Sequence, residues 1–202
     1  MMTRKRITNG LTVALVAMGI VGMTTGTAEA ALTWEVSEAG GNVTMTTVGS
    51  LDITGLTGAT SSTFSSSAEG VDRNGSGWEY INNSGGNASW YRKDMNEGAP
   101  SAVPVVSTGT FAPDSVSGDT FGQRKHDNGN FSLHWDLSEG ATPGTISPIS
   151  TMVFNNQTIA SMFGTNLDSG PVTLWTYGAT GDSILIALAS TPATPGTLIY
   201  GK

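Results

Sequence analysis

The chain has 202 residues, no cysteine, and sixteen Asp and Glu against nine Lys and Arg, a formal net charge of −7. Without cysteine there are no disulfides, so stability must come from a core. The acidic balance speaks against nucleic acid, whose phosphates call for basic neutralisation, and against anionic membrane surfaces.

The N-terminus opens Met1-Met2-Thr3-Arg4-Lys5-Arg6, continues through 13 mostly apolar residues, Leu11 to Met23, and reaches small residues at Ala28-Glu29-Ala30. A basic start, an apolar middle and an A-x-A site make a secretory signal peptide. Thirteen residues fall short of the about 20 needed to span a bilayer. Cleavage is expected between Ala30 and Ala31, with Ala28 and Ala30 as the small residues before the cut. With no paired arginines and no cysteine for lipid attachment, the general secretion route is expected, delivering the protein outside the cytoplasm with no permanent membrane span.

Residues 1–30 hold three of the basic and one of the acidic residues, so residues 31–202 carry six basic against fifteen acidic, a net charge of −9. Residues 31–190 are expected to form one domain, followed by a tail, 191–202. A chain of this length can bury about 70% of its unfolded surface. Gly, Ser, Thr and Asn are abundant while Lys, Arg and Glu are sparse, the reverse of helix-rich usage.

Leu32-Thr-Trp34-Glu-Val36, Val43-Thr-Met45 and Leu51-Asp-Ile53 alternate apolar and polar residues, the pattern of strands with one buried face. Gly40-Gly41 and Gly49-Ser50 separate them, so a three-stranded meander is expected. From Thr57 to Gly77 the chain is small and polar around Phe64, an edge strand with long loops or an insertion. Trp78-Glu-Tyr80-Ile81 and Ala88-Ser-Trp90-Tyr91 flank an Asn/Gly-rich stretch, a spacing that predicts a hairpin with a six-residue turn. Val103 to Phe111 predicts a strand, with Pro104 at an edge or strand end.

Phe131-Ser-Leu133-His-Trp135-Asp-Leu137 is the cleanest alternation, predicting a core strand with Ser132, His134 and Asp136 on the other face. Gln157 to Phe163 predicts a short helix ended by Gly164. Val172 to Tyr177 and Asp182 to Leu188, joined by a Gly-flanked loop, predict a closing hairpin whose second strand is buried on both faces. Many short strands with frequent turns predict an all-β fold, a single β-sandwich or jelly-roll-like domain of short antiparallel strands.

Two stretches carry a family resemblance: LTWEVSEAGGNV with GSLDITGL near the start, and PVTLWTYGATGDSILIAL with TPATPGTL near the end. Together they resemble exported bacterial proteins of the PEP-CTERM sorting type. The resemblance covers about a quarter of the chain after the leader. It implies a β-rich exported protein linked to the cell envelope or extracellular matrix, and it supplies no catalytic residues. Ala193 to Leu198 reads as a degraded start of the sorting tail. No apolar helix follows it before Lys202, so the anchor is missing or truncated and free secretion is expected.

Chemistry-bearing motifs are few. His126-Asp127 and His134-Asp136 would need a third ligand and a shared face to hold zinc, and no G-x-S-x-G elbow marks a serine hydrolase. Asp114-Ser-Val-Ser-Gly-Asp119 lacks EF-hand spacing and reads as a solvated turn. No catalytic residue, cofactor or metal is therefore expected. The expected function is non-enzymatic, at the cell surface or in the matrix; a secreted hydrolase ranks last. The alternative is a carbohydrate-binding module using Trp78, Tyr80, Trp90 and Tyr91, with Arg92, Lys93 and Asp94 as polar partners for extracellular polysaccharide. Those rings would otherwise fill the core, where aromatics bury large areas.

Overall fold

The computed structural model describes residues 30–63, 70–73, 79–83, 89–95 and 101–190. The leader residues 1–29, Phe64, Trp78 and the tail 191–202 lie outside the described residues.

Strands β1 (Ala31–Ala39) and β2 (Asn42–Gly49) form the expected hairpin, with Ala39 paired to Asn42. The two-residue loop needs positive φ at both positions, and Gly40 and Gly41 supply it at +61° and +79°. Leu32, Trp34 and Val36 on β1 and Val43 and Met45 on β2 point inward and are fully covered, while the residues between them stay half-exposed. Period-two alternation has become one buried and one wet face.

Six strands make the first sheet. Its order is β14 (Val172–Thr176), β15 (Ser183–Leu188), β1, β2, β13 (Ser150–Asn155) and β9 (Ser115–Gly118). The closing hairpin β14–β15 forms as expected, with a register shift between Thr173 and Trp175. β15 then pairs with β1 in parallel, Ala31 opposite Ser183 through Val36 opposite Leu188. All other pairings among the described strands are antiparallel.

Seven strands make the second sheet, in the order β4 (Thr60–Thr63), β7 (Ser89–Met95), β11 (Phe131–Asp136), β10 (Phe121–Lys125), β6 (Glu79–Asn83), β5 (Gly70–Arg73) and β8 (Gly109–Phe111). The inward residues of both sheets share one apolar core. Trp34 meets Phe121 across the gap at 5.9 Å between ring centroids. Asn83 Nδ2 donates to the carbonyls of Ser117 and Asp119, tying the second sheet to the edge of the first. The protein is an all-β sandwich.

Five expectations need correction. The third segment leaves the meander: β3 (Leu51–Asp52) pairs with β12 (Thr145–Ile146) in a separate two-stranded ribbon. The Trp78–Tyr91 hairpin does not form, because β6 and β7 are separated by β10 and β11. The β10–β11 hairpin carries Phe121, Phe131, Leu133 and Trp135 on one side, and the centre of the sheet covers that surface better than an edge would. β6 and β7 therefore flank it instead of pairing with each other.

Only Gly109–Phe111 of the expected Val103–Phe111 strand is extended in a sheet. Val103 and Val105 are buried without strand partners, and the Val103 amide donates to Glu79 Oε2 at 2.6 Å instead. The Asp114–Asp119 segment is the edge strand β9, not a turn; Asp114 and Asp119 accept from the amides of Asn155 and Ile149 beside β13. β15 is buried on one face only, through Ile184 and Ile186, with Ser183, Leu185 and Ala187 half-exposed.

The predicted short helix is present as α1 (Ile159–Phe163), started by a Thr158–Ser161 capping box and ended at Gly164. No helix among the described residues is long and apolar enough to cross a membrane.

Candidate functional site

The face of the second sheet turned away from the core is built from polar residues. Register places Asp72 (β5), Tyr80 (β6), Arg124 (β10), Ser132 (β11) and Asp94 (β7) in one row across five strands. The adjacent row carries Asn82, Gly122, His134 and Arg92. A polar outer face is ordinary for an antiparallel sheet, but the centre of this one is buried, with Ser132 0% exposed and His134 3%, while Asp94 at its edge is exposed. Buried polar groups need hydrogen-bond partners, and this face supplies several of its own.

Arg92 grips Asp94 two positions along the same strand, Nε to Oδ1 at 2.9 Å and Nη2 to Oδ2 at 3.0 Å. The Ser132 hydroxyl donates to Asp94 Oδ1 in a very short hydrogen bond. His126 Nε2 lies 2.5 Å from Ser132 Oγ. Ser132 has one proton, and Asp94 takes it. The serine oxygen must then accept from His126, which places a proton on Nε2.

In a Ser-His-Asp triad the base nitrogen is unprotonated toward the serine, and the carboxylate holds the opposite ring nitrogen. Here Asp94 lies 4.0 Å from the same Nε2 that meets Ser132. Carboxylate and serine share one side of the imidazole, and the serine oxygen is fully buried. The three residue types are assembled without the geometry of nucleophilic attack.

The environment tunes each group. Burial lowers the His126 pKa, helped by the Arg124 guanidinium. Burial, then the charges of Arg92 and Arg124, push His134 down to about 3. Burial also lowers Arg124. Tyr80 is pushed up to about 12 by burial and the Asp72 charge. Burial alone would raise Asp94, but the Ser132 hydrogen bond and Arg92 outweigh it and hold the carboxyl below its usual range. The result is a cluster of ionised Asp and Arg around two neutral imidazoles.

At the edge of this face is an open polar cleft of about 270 Å³, lined by Gly58, Thr60, Ser61, Arg92, Lys93 and Asp94. It lies where β4 starts: Thr60 pairs with Arg92, and β4 offers no partner to Lys93 or Asp94. Arg92 is committed to Asp94, whereas Lys93 makes no ion pair with a described residue. The cleft thus offers an ammonium, two hydroxyls and a carboxylate edge.

The aromatic candidates do not share one surface. Tyr80 lies in the polar row beside Arg124. Tyr91 faces the core, 6.0 Å from Trp135. Trp90 lies on β7 opposite Asp136, and its side chain, like all of Trp78, falls outside the described residues. Ala28 also falls outside them; Ala30 is the first residue described, and Ala31 begins β1. Among the described residues no group of three or more His, Asp or Glu could hold a metal ion.

Sequence reasoning placed His134 on the outer face of its strand but missed the cluster around it. Arg92-x-Asp94 and Ser132-x-His134 are spaced two apart, so each pair shares a strand face. Their assembly depends on β7 lying beside β11, which no local pattern states.

No family model matches the chain, and no curated protein or solved structure is significantly similar to it.

Proposed function

We propose that this is an exported, non-enzymatic β-sandwich protein that acts at the cell surface or in the extracellular matrix. One observation carries the reading: the sheet begins with Ala31, the residue after the expected signal cut. A leader ending at Ala30 would leave β1 intact as an interior strand. The resemblance to PEP-CTERM-type exported proteins supplies the envelope or matrix part of the reading; its two motif stretches lie in the β1–β2 and β14–β15 hairpins. The non-enzymatic part draws on the shared side of His126 and the burial of Ser132. The test is to express the full chain in an exporting bacterium, fractionate the culture, and sequence the N-terminus of the product. Recovery outside the cell with Ala31 first supports the reading; an uncut cytoplasmic chain defeats it.

A second reading, recognition of extracellular polysaccharide, is favoured by the cleft at Lys93. An ammonium beside Thr60 and Ser61 suits a carboxylated sugar, with charge-assisted hydrogen bonding to the carboxylate. Binding to acidic glycans that is lost in Lys93→Ala with the fold unchanged would support it. Binding that survives Lys93→Ala but disappears in Trp78→Ala or Trp90→Ala would move the site to the aromatic residues.

A further inference from the structure

Asp182 closes the turn between β14 and β15 and is only 5% exposed. Its Oδ2 accepts from the Asp52 amide at 2.6 Å and its Oδ1 from the Ala30 amide at 3.1 Å. No described Lys, Arg or His forms an ion pair with it. A buried carboxylate held only by neutral donors is costly unless a cation is close. The expected leader cut falls one residue from its second donor.

Cleavage between Ala30 and Ala31 removes the Ala30 amide from Oδ1. It replaces the Ala31 peptide nitrogen with an α-ammonium, a charged group with three N–H donors. Successive backbone nitrogens are no farther apart than the about 3.8 Å between neighbouring Cα atoms. Ala30 N lies 3.1 Å from Oδ1, so the new cation forms one peptide step farther along, at most about 7 Å from the oxygen that has just lost its donor. The cut also removes the Ala30 carbonyl that accepts from the Ser183 amide at 3.2 Å. Ala31 is then held by the rest of the ladder, onward from Leu32 opposite Ile184 in β15 and Gly49 in β2. The first residue of the processed chain is thus fixed in the interior of the sheet beside a buried anion.

We propose that Asp182 is the receptor for the α-ammonium exposed by leader removal, which replaces the Ala30 amide as the partner of its carboxylate. This rests on the export reading. Among the described residues, the other charged or titratable groups hydrogen-bonded around this turn are Asp52, whose carboxylate accepts from Thr54, and Tyr177, whose hydroxyl donates to the Thr54 carbonyl. Tyrosine titrates near pH 10, so the window to observe is pH 7 to 9.5.

The experiment uses the processed protein purified after export of the full chain. Its N-terminus is sequenced, the α-amine is tagged by reductive ¹³C-methylation, and its titration is followed by NMR in wild type and Asp182→Asn. An unperturbed α-amine titrates at about 7.7–8.0. The expected result is a titration at least one unit higher in wild type that returns to the ordinary range in Asp182→Asn. Denaturation of untagged wild type should show stability lost as pH rises through that raised value, and N-terminal acetylation should abolish the dependence. If Asp182→Asn does not fold, the wild-type titration and the acetylated protein still decide. An Ala31 terminus with an ordinary titration overturns the inference and leaves the export reading standing. A chain that is uncut, or cut elsewhere, removes both.

Discussion

Phe131 from the second sheet and Trp175 from the first lie face to face, ring centroids 4.7 Å apart and planes 6° from parallel. Each is 2% exposed, and Tyr177 extends the stack at 5.7 Å from Trp175. The pair joins the sheets beneath β14, the edge strand of the first sheet. Truncating a buried large aromatic removes its transfer free energy and leaves a cavity. Trp175→Ala should therefore cost about 3–5 kcal/mol, read from the urea midpoint at constant slope. A loss below about 1 kcal/mol would mean that the stack does not hold the sheets together.

His134 makes stability depend on pH. Burial and the neighbouring Arg charges keep it neutral in the folded protein down to about 3, while the unfolded chain takes up a proton near 6.5. Between those values the unfolded state binds more protons, so stability is full above about pH 6.5 and declines as pH falls toward 3. His126 is shifted the same way and adds to the trend. Asp94, held low, adds a loss that begins below its ordinary range near 4. Denaturation midpoints should fall from pH 6.5 to 4, and His134→Asn should flatten that slope. An equal slope in the variant would show that His134 is not responsible.

Asp94 and Ser132 should behave as one unit. Asp94→Asn weakens the Arg92 clamp and the serine's acceptor, while Ser132→Ala removes the hydroxyl shared with His126. Residues in one hydrogen-bond network show coupling of about 0.5–3 kcal/mol. A double-mutant cycle on denaturation free energies should return a value in that range. Additivity within error would mean that the short contact contributes no energy of its own.

Gly49 ends β2 at φ +91°, and a Cβ there would lie 2.2 Å from the Ala31 carbonyl oxygen. Backbone strain from the positive φ and a steric clash of the new Cβ combine at one position. Gly49→Ala should cost on the order of 3 kcal/mol, at about 2–4 °C in Tm per kcal/mol for a chain of this size. Thermal unfolding checks it, and an unchanged Tm would mean that β1 shifts freely at its first residue.

The residues themselves show why some elements were legible and others hidden. In β1, β2 and β11 every inward position is apolar, or nearly so, and the alternation is plain. In β10 the inward Gln123 interrupts Phe121, and in β13 the inward Ser150 precedes Met152 and Phe154, so the period is masked although both residues are buried. β5 is four residues with Val71 as its one apolar side chain. It pairs because β6 and β8 lie on either side of it. The polar cluster was hidden for a different reason: Asp94, His126 and Ser132 lie on three segments that meet only when β7 docks on β11.

From its residues alone, this chain specifies an all-β fold, several strand positions, and the Gly40-Gly41 turn. Each of these is a local property: alternation states which side of a strand avoids water, and glycine states where the backbone can reverse. Tertiary structure alone decided that β15 returns to pair in parallel with β1, that β10 and β11 separate β6 from β7, and that Asp182 sits beside the first residue of the sheet. Strand partners are chosen by how much apolar surface the whole sandwich covers and by which backbone edges are satisfied, and those quantities belong to the assembled chain.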